Sequence, residues 1–169
     1  MNMFIVLGLS SFFSAFPINN KGFDWSITEE DLSKQFTVEK VSDGTSHGHG
    51  YSDFSEINPV VYVDNSTSEK KMEFYFYEKK LYKIYTIHKS KENESAFYKT
   101  KIIELQTVLG EPKEIYTDEL FDMPIVHHIW ETDTEKLDLR YGAGYVYEVR
   151  TNKSSADQKQ LAIDRKHAI

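Results

Sequence analysis

The stretch that decides the fold is residues 71–88, KMEFYFYEKKLYKIYTIH. Apolar and aromatic side chains recur at every second position on both sides of its central lysines. Because successive side chains of a strand point to opposite faces of a sheet, this alternation predicts a β-hairpin whose first strand buries one face. The buried face carries Met72, Phe74 and Phe76. The opposite face carries Tyr75 and Tyr77.

The register of this hairpin stays open, because no glycine or asparagine fixes its turn. A three-residue turn would bring Tyr82 and Ile84 opposite the buried face of the first strand. A two-residue turn would bring Tyr85 and Ile87 there instead. Since a shift of one residue moves every side chain of a strand to the other face, the two registers assign different tyrosines to the core.

A second hairpin is predicted at residues 137–149, LDLRYGAGYVYEV. A three-residue loop over residues 142–144 would pair aromatic and aliphatic side chains across the two strands. The predicted pairs are Tyr141 with Tyr145, Leu139 with Tyr147, and Leu137 with Val149. This register assigns the tyrosines to the core and points three charged side chains outward: Asp138, Arg140 and Glu148.

Two helices complete the pattern. Ser26 and Glu29 have the spacing of a capping box, which predicts a short helix over residues 27–36. Residues 96–109 have one apolar face and are followed by Gly110, a residue that favours a helix C-terminus. Four further strands are predicted, at residues 37–41, 59–63, 113–116 and 125–131, with a loop through Pro124.

These elements predict an α+β fold, an antiparallel β-sheet with two helices packed on one face. Two tandem helix-plus-strands units are an alternative organisation that the pattern leaves open. The length of 169 residues suits one domain. We expect an apolar segment at residues 1–20, a single α+β domain at residues 21–151, and a polar C-terminal tail at residues 152–169.

Charge and cysteine content exclude several function classes. The chain has 20 Lys and Arg against 27 Asp and Glu, a net charge of −7, which repels the phosphates of nucleic acids. It has no cysteine, so thiolate catalysis, thiolate zinc sites and a lipid-anchoring cysteine are excluded. Motifs of serine hydrolases, zinc proteases and phosphate-binding loops do not occur in the sequence. We therefore expect a protein that is not an enzyme and uses no cofactor.

Residues 3–16, MFIVLGLSSFFSAF, carry no charge and resemble the apolar region of a signal peptide. The run is shorter than the roughly 18 residues that span a bilayer, so we expect no stable transmembrane anchor. This predicts a periplasmic or secreted protein. Two alternatives stay open: the segment belongs to the fold of a cytoplasmic protein, or it is retained as an anchor.

The order of elements resembles that of small exported bacterial proteins. The matching stretches are residues 23–36, FDWSITEEDLSKQF, and 74–84, then Leu109-Gly110-Glu111-Pro112, Trp130 and residues 137–149. The stretches from Leu109 onward are similar to outer-membrane assembly lipoproteins of the SmpA/OmlA (BamE) type and to β-lactamase-inhibitor-protein-like domains. The resemblance implies helices packed on an antiparallel sheet and a function in binding another protein.

A glycine-rich loop offers the only candidate metal ligands. His47 and His49 lie near Asp53, and His128 is a fourth candidate, which together could hold zinc or copper. His127 and His128 are adjacent on a predicted strand and so point to opposite faces. A mobile turn and surface histidines explain the loop more simply, and we expect no metal.

Three function hypotheses follow. The first is an exported, non-enzymatic domain that binds another protein through a tyrosine-bearing sheet face or the strand at residues 59–63, taken as an exposed edge. Its candidate contact residues are Tyr75, Tyr77, Tyr85, Val61 and Val63. The second is a cytoplasmic acidic inhibitor or immunity-type protein that masks a basic enzyme, since residues 1–151 carry a net charge of −9. The third is a small hydrolase or metal-binding protein.

Overall fold

The structure, a computed structural model, describes residues 25–43, 59–89, 93–120, 122–155 and 157. These residues form one antiparallel sheet of eight strands. The strands are β1 (Val38–Asp43), β2 (Val60–Asp64), β3 (Lys70–Tyr77), β4 (Lys80–His88), β5 (Glu114–Leu120), β6 (Met123–Glu131), β7 (Glu135–Gly142) and β8 (Tyr145–Asn152). The helices are α1 (Glu29–Gln35) and α2 (Glu94–Leu109).

The predicted fold class is wrong. The strands lie in the order β1-β2-β3-β4-β8-β7-β6-β5, so the pairing of β4 with β8 joins all of them into one continuous sheet rather than two units. Strand residues outnumber helical residues by more than two to one among the described residues, so the molecule is mostly sheet. The pattern that predicted two helices packed as a layer underestimated how much of the chain between them is strand.

Each helix covers only a local patch of the sheet. Helix α1 is seven residues long and buries one side chain, Leu32. Its N-cap is Thr28 rather than the predicted Ser26, and the Thr28 hydroxyl accepts a hydrogen bond from the backbone N–H of Asp31 at 3.1 Å. Leu32 packs with side chains of β3 and β4: Met72, Phe74, Phe76, Leu81 and Ile84.

Helix α2 confirms the prediction for residues 96–109, with Gly110 at its C-cap. Its start lies two residues earlier, because the side chain of Asn93 accepts hydrogen bonds from the backbone N–H groups of Ser95 and Ala96. Tyr98 and Leu105 pack against a second core cluster of the sheet. The sheet residues of that cluster are Trp130, Leu137, Leu139 and Val146. Trp130 is thus a core residue, and its indole N–H donates to the Gly110 carbonyl at 2.8 Å.

The hairpin of β3 and β4 combines both of the registers that the sequence left open. Its turn has two residues, Glu78 and Lys79, both with positive φ (48° and 64°). A register shift after Tyr75 then aligns Phe74 with Ile84, the partner that a three-residue turn would give. The bulge therefore keeps the apolar side chains on one face although the turn is short.

The hairpin of β7 and β8 differs from its predicted register by one residue. Its turn consists of Ala143 and Gly144, and Gly142 pairs with Tyr145 as part of the ladder. Gly142 has a packing role, because a Cβ there would lie 2.8 Å from the side chain of Ile125 and 2.9 Å from the carbonyl of Pro124. The predicted outward placement of Asp138 and Glu148 is wrong, since both are buried.

The one-residue difference changes the composition of both sheet faces. Leu139 lies opposite Glu148, and Arg140 lies opposite Tyr147. The sequence predicted Tyr145 and Tyr147 on the core face with Leu137 and Leu139. The observed register excludes this placement. Both tyrosines lie on the opposite face.

The loop that was predicted through Pro124 is instead part of a hairpin. Strands β5 and β6 pair without interruption from Glu114 with Ile129 to Leu120 with Met123, and Pro124 lies within the ladder. Asp122, with φ of 61°, provides the left-handed residue of the turn. β5 is at one end of the sheet. Within the described ranges, no helix is both long and apolar enough to cross a membrane.

Candidate functional site

Four neighbouring strands place a line of aromatic and charged side chains on one face of the sheet. Tyr147 on β8 lies opposite Arg140 on β7, Arg140 opposite His127 on β6, and His127 opposite Tyr116 on β5. Directly opposed residues of an antiparallel pair point to the same face. We call these four residues the tyrosine–arginine row.

A buried carboxylate holds the centre of the row. Asp138 precedes Arg140 by two residues on β7, so both side chains lie on the same face. The Arg140 Nε donates to one Asp138 oxygen at 2.7 Å, and the other Asp138 oxygen is 3.1 Å from Nδ1 of His127. Asp138 and His127 are buried, whereas 29% of the Arg140 side chain is exposed. The Arg140 side chain is therefore held at its Nε by Asp138 and is partly exposed to solvent.

The row ends in a tyrosine on each side, and further tyrosines lie next to Tyr147. The Tyr116 ring stacks on His127 with centroids 4.4 Å apart, and Tyr147 contacts Tyr85 and Tyr145 at 5.8 and 6.1 Å. Tyr116 and Tyr145 are 39% and 44% exposed, and Tyr85 and Tyr147 are half-buried. Burial raises the pKa of Tyr85, and neighbouring Tyr147 raises it further. Burial likewise raises the pKa of Tyr116 and Tyr147, so these three phenols are neutral hydrogen-bonding groups at physiological pH.

A second arginine–carboxylate pair lies on the other face of the sheet. The Nε of Arg150 donates to Glu148 at 2.7 Å, and its Nη1 is 3.3 Å from Glu135. His88 Nε2 is 3.8 Å from Glu148, and Phe97 of α2 packs against the His88 ring with centroids 5.2 Å apart. We call Glu135, Arg150, Glu148 and His88 the buried ionic chain.

The buried ionic chain is enclosed within the protein. The side chains of Arg150, Glu148 and Glu135 are at most 5% exposed. Burial alone would raise the pKa of Glu148, but Arg150 and His88 beside it hold that pKa well below its usual range. The carboxylate therefore stays ionised in the folded state, and its charge is balanced inside the core.

The five predicted contact residues lie together on the face that carries the row. Val61, Val63 and Tyr75 belong to one cluster, against which Tyr77 and Tyr85 pack. The first three are at most 7% exposed, so on this face only Tyr77 and Tyr85 of the set reach solvent. The strand at residues 59–63 is not an edge, because β2 pairs with β1 on one side and β3 on the other.

Of the four candidate metal ligands, His47, His49 and Asp53 lie outside the described residues. His128 lies on the core face, where its Nδ1 is 2.7 Å from the Tyr98 hydroxyl. Burial lowers the pKa of His128, which favours the neutral ring as the hydrogen-bond partner of Tyr98. Within the part of the chain that the structure describes, no group of three His, Cys, Asp or Glu residues is placed to hold a metal ion.

Most of the row was not predicted as a site. The interpretation of residues 137–149 had assigned Tyr145 and Tyr147 to the core and gave Asp138 and Arg140 no role. The opposition of His127 and His128 was predicted correctly. The sequence holds no local signal that selects the observed register: Gly142 and Gly144 flank Ala143, which is compatible with a two-residue turn at Ala143 and Gly144 and with the three-residue loop that was predicted.

No protein-family model matches the sequence, and no curated protein matches it. One solved structure is similar to the chain: a DUF4309 family protein (YjgB) from Bacillus subtilis subsp. subtilis str. 168. The two are 13% identical, with a TM-score of 0.48, over 76% of this chain and 80% of that chain. This similarity is too low to support an inference about function, and it bears on neither of the families that the sequence resembles.

Proposed function

We propose that the protein is an exported, non-enzymatic domain that binds another protein through the sheet face that carries the tyrosine–arginine row. The observation that carries this proposal is the register of β7 with β8. It places Tyr145 and Tyr147 on the same face as Tyr85, with the Tyr147 ring in contact with both of the others, and the strand order extends the surface to Tyr116.

The composition of this face supports protein recognition. Tyrosine and arginine are enriched at binding hot spots, because an aromatic ring buries a large area with little loss of rotamer freedom. Four tyrosines and Arg140 keep solvent contact within this one surface: Tyr85, Tyr116, Tyr145 and Tyr147. A sheet face with such a composition suits a protein partner better than a small substrate, which requires an enclosing pocket.

The pairing of His127 with Asp138 also favours binding over catalysis. In a hydrolase the histidine would contact a nucleophilic hydroxyl as well as its carboxylate. Among the described residues, the hydrogen bonds of His127 go to Asp138 alone, and Asp138 in turn holds Arg140. The arrangement orients the arginine.

The test is site-specific photocrosslinking in the native host. A photoreactive phenylalanine analogue replaces Tyr147 in one variant and Ile103 in another. Ile103 is 64% exposed on α2 and serves as the matched control. We expect a discrete protein adduct from position 147 that position 103 does not give. Equal adducts from both positions, or none from position 147, would contradict the proposal.

Export is tested separately by the intact mass of the protein purified from its host. The apolar run at residues 3–16 supports cleavage, and we expect the loss of about fifteen or more N-terminal residues. Retention of these residues in a cytoplasmic protein would favour the acidic-inhibitor alternative. This result would leave the crosslinking test unaffected, because positions 147 and 103 are present in the protein with or without residues 1–16.

A further inference from the structure

The guanidinium of Arg140 is engaged on one side, and none of the residues that the structure describes pairs with its other side. Its Nε donates to Asp138, and this is its sole hydrogen bond and ion pair with the described residues. The Nη1 and Nη2 groups therefore present four N–H donors in a planar fork toward the exposed face. A fork of this kind matches the two oxygens of a carboxylate.

The fork is held in place before any ligand arrives. Asp138 contacts His127, and His127 is buried with its ring stacked on the Tyr116 ring. Tyr147 lies opposite Arg140 on the other side. Because these neighbours restrict the arginine, less side-chain entropy is lost when the fork binds a partner.

We propose that the Nη groups of Arg140 bind the carboxylate of an aspartate or glutamate side chain on the partner protein. The proposal rests on the proposed function of this face and specifies the chemistry of the partner. The partner residue is a charged anchor surrounded by apolar contacts with Tyr116, Tyr145 and Tyr147.

The local charges favour a carboxylate over a phosphate. Glu73 lies opposite Tyr85, and Asp138 lies opposite Val149, which is the β8 partner of Tyr85, so two carboxylates lie on the same face as Arg140. Glu73 is in turn paired with Lys71 at 2.6 Å. A group with a single negative charge can pair with Arg140 here, whereas a dianion is disfavoured, because its desolvation cost rises with the square of its charge while its attraction to one guanidinium rises only in proportion.

The experiment selects random linear peptides, displayed on phage, against the full chain and against Arg140→Gln in parallel. We expect peptides selected on the wild type to be enriched in Asp or Glu next to aromatic or aliphatic residues. The enrichment should disappear on Arg140→Gln. Circular dichroism and thermal melting of Arg140→Gln verify that the variant is folded.

A double-mutant cycle then isolates the contact. Arg140→Gln should weaken binding of a selected acidic peptide about ten- to hundredfold, as expected for a charge-assisted hydrogen-bonded pair. Replacing the peptide's Asp or Glu with its amide should cause the same loss on the wild type and little further loss on Arg140→Gln. Arg140→Lys should recover only part of the affinity, because lysine keeps the charge but lacks the fork.

The outcomes separate this proposal from the proposed function. If peptides bind, lose affinity with Tyr147→Ala, and show no acidic preference or a basic one, the face binds protein and the carboxylate proposal is wrong. If no peptide is selected, or if the selected peptides are insensitive to Tyr147→Ala, both proposals are wrong. If Arg140→Gln and the amide substitution in the peptide lower the affinity additively, the peptide carboxylate does not contact Arg140, and the carboxylate proposal is wrong.

Discussion

Strands β7 and β8 each carry an arginine two residues after a carboxylate, and the two pairs have the same geometry in opposite surroundings. In both, the arginine Nε donates to the carboxylate at 2.7 Å. The Arg150 side chain is 4% exposed and has a second carboxylate partner, Glu135. The Arg140 side chain is 29% exposed, and among the described residues it pairs with Asp138 alone. The same pair of residue types is thus enclosed within the protein on one face and reaches solvent on the other, where we propose that it binds a partner.

The surroundings decide the difference in role. A buried charge must be balanced inside the protein, since desolvation makes an unpaired charge very costly. The Nε and Nη1 groups of Arg150 are therefore used within the core. An exposed guanidinium can leave its Nη groups to water in the free protein and exchange that water for a partner at little cost.

The largest effect that tests this comparison concerns stability. We expect Arg150→Met to lower the free energy of unfolding by about 3–5 kcal/mol, because it leaves Glu135 and Glu148 buried without their cation. Arg140→Met is the matched control. It should cost about 1–2 kcal/mol, since Asp138 keeps its contact with His127. Urea denaturation at neutral pH measures both, and equal losses would contradict the division of roles.

Acid titration provides a second test on the buried side. Because the folded-state pKa of Glu148 lies below its unfolded value, its stabilisation is present above about pH 4.5 and is lost as pH falls further. We expect Glu148→Gln to be less stable than the wild type at neutral pH. The gap should narrow below about pH 4.5 by up to about 1.4 kcal/mol per pH unit.

The control for this titration is Glu131→Gln. Lys113 lowers the pKa of Glu131, but this carboxylate lies at the surface, where solvent screens the pair. Its removal should leave the pH dependence of stability almost unchanged. A gap between wild type and Glu148→Gln that stays constant from neutral pH into the acid range would show that Glu148 does not titrate as the structure implies.

On the exposed side, Tyr147→Ala should reduce the affinity for a selected acidic peptide by about tenfold or more. Tyr147 borders Arg140 and contacts both Tyr85 and Tyr145, so its ring is at the centre of the proposed contact area. Ile103→Ala, on α2, should leave the affinity unchanged. Isothermal titration calorimetry measures both variants, and comparable affinity losses in the two would show that binding is not localised to this face.

The smallest expected effect concerns the turn between β7 and β8, whose length sets which side chains of β8 lie on each face. Ala143 has φ of 53°, a left-handed conformation that glycine adopts without steric cost. Ala143→Gly should raise the free energy of unfolding by about 0.5–1 kcal/mol, whereas Ala96→Gly in α2 should lower it by a similar amount. Thermal denaturation compares them. A destabilising Ala143→Gly would contradict the two-residue turn.

The length of this turn marks the limit of what the sequence predicts about the fold. Helix α2 and the existence of both hairpins follow from local patterns, the apolar face before Gly110 and the alternation of strand residues. The register of β7 with β8 does not, because GAG at residues 142–144 suits a two- or a three-residue loop. The choice depends on Gly142 packing against Ile125 of β6, a contact distant in sequence.

The candidate site depended on that choice. Once the register is known, period-two alternation places Arg140 and Tyr147 on one face and Arg150 on the other. Without it, the same alternation joined the tyrosines to Leu137 and Leu139. The prediction of Tyr75, Tyr77 and Tyr85 as a face was right in placing them together, because the bulge in β3 and β4 preserved their side. Sequence alone gave no measure of their burial.

The central claim is that Arg140 binds a partner while Arg150 serves the fold, and the guanidinium resonances in an NMR spectrum test it most directly. The chain has three arginines, so each Nε–H signal can be assigned from the spectrum of Arg140→Gln and one further variant. Addition of a selected acidic peptide should shift the Nε–H and Nη–H signals of Arg140 and slow their exchange with water, while those of Arg150 stay in place. Unchanged Arg140 signals at saturating peptide, or equal shifts of both arginines, would contradict the account.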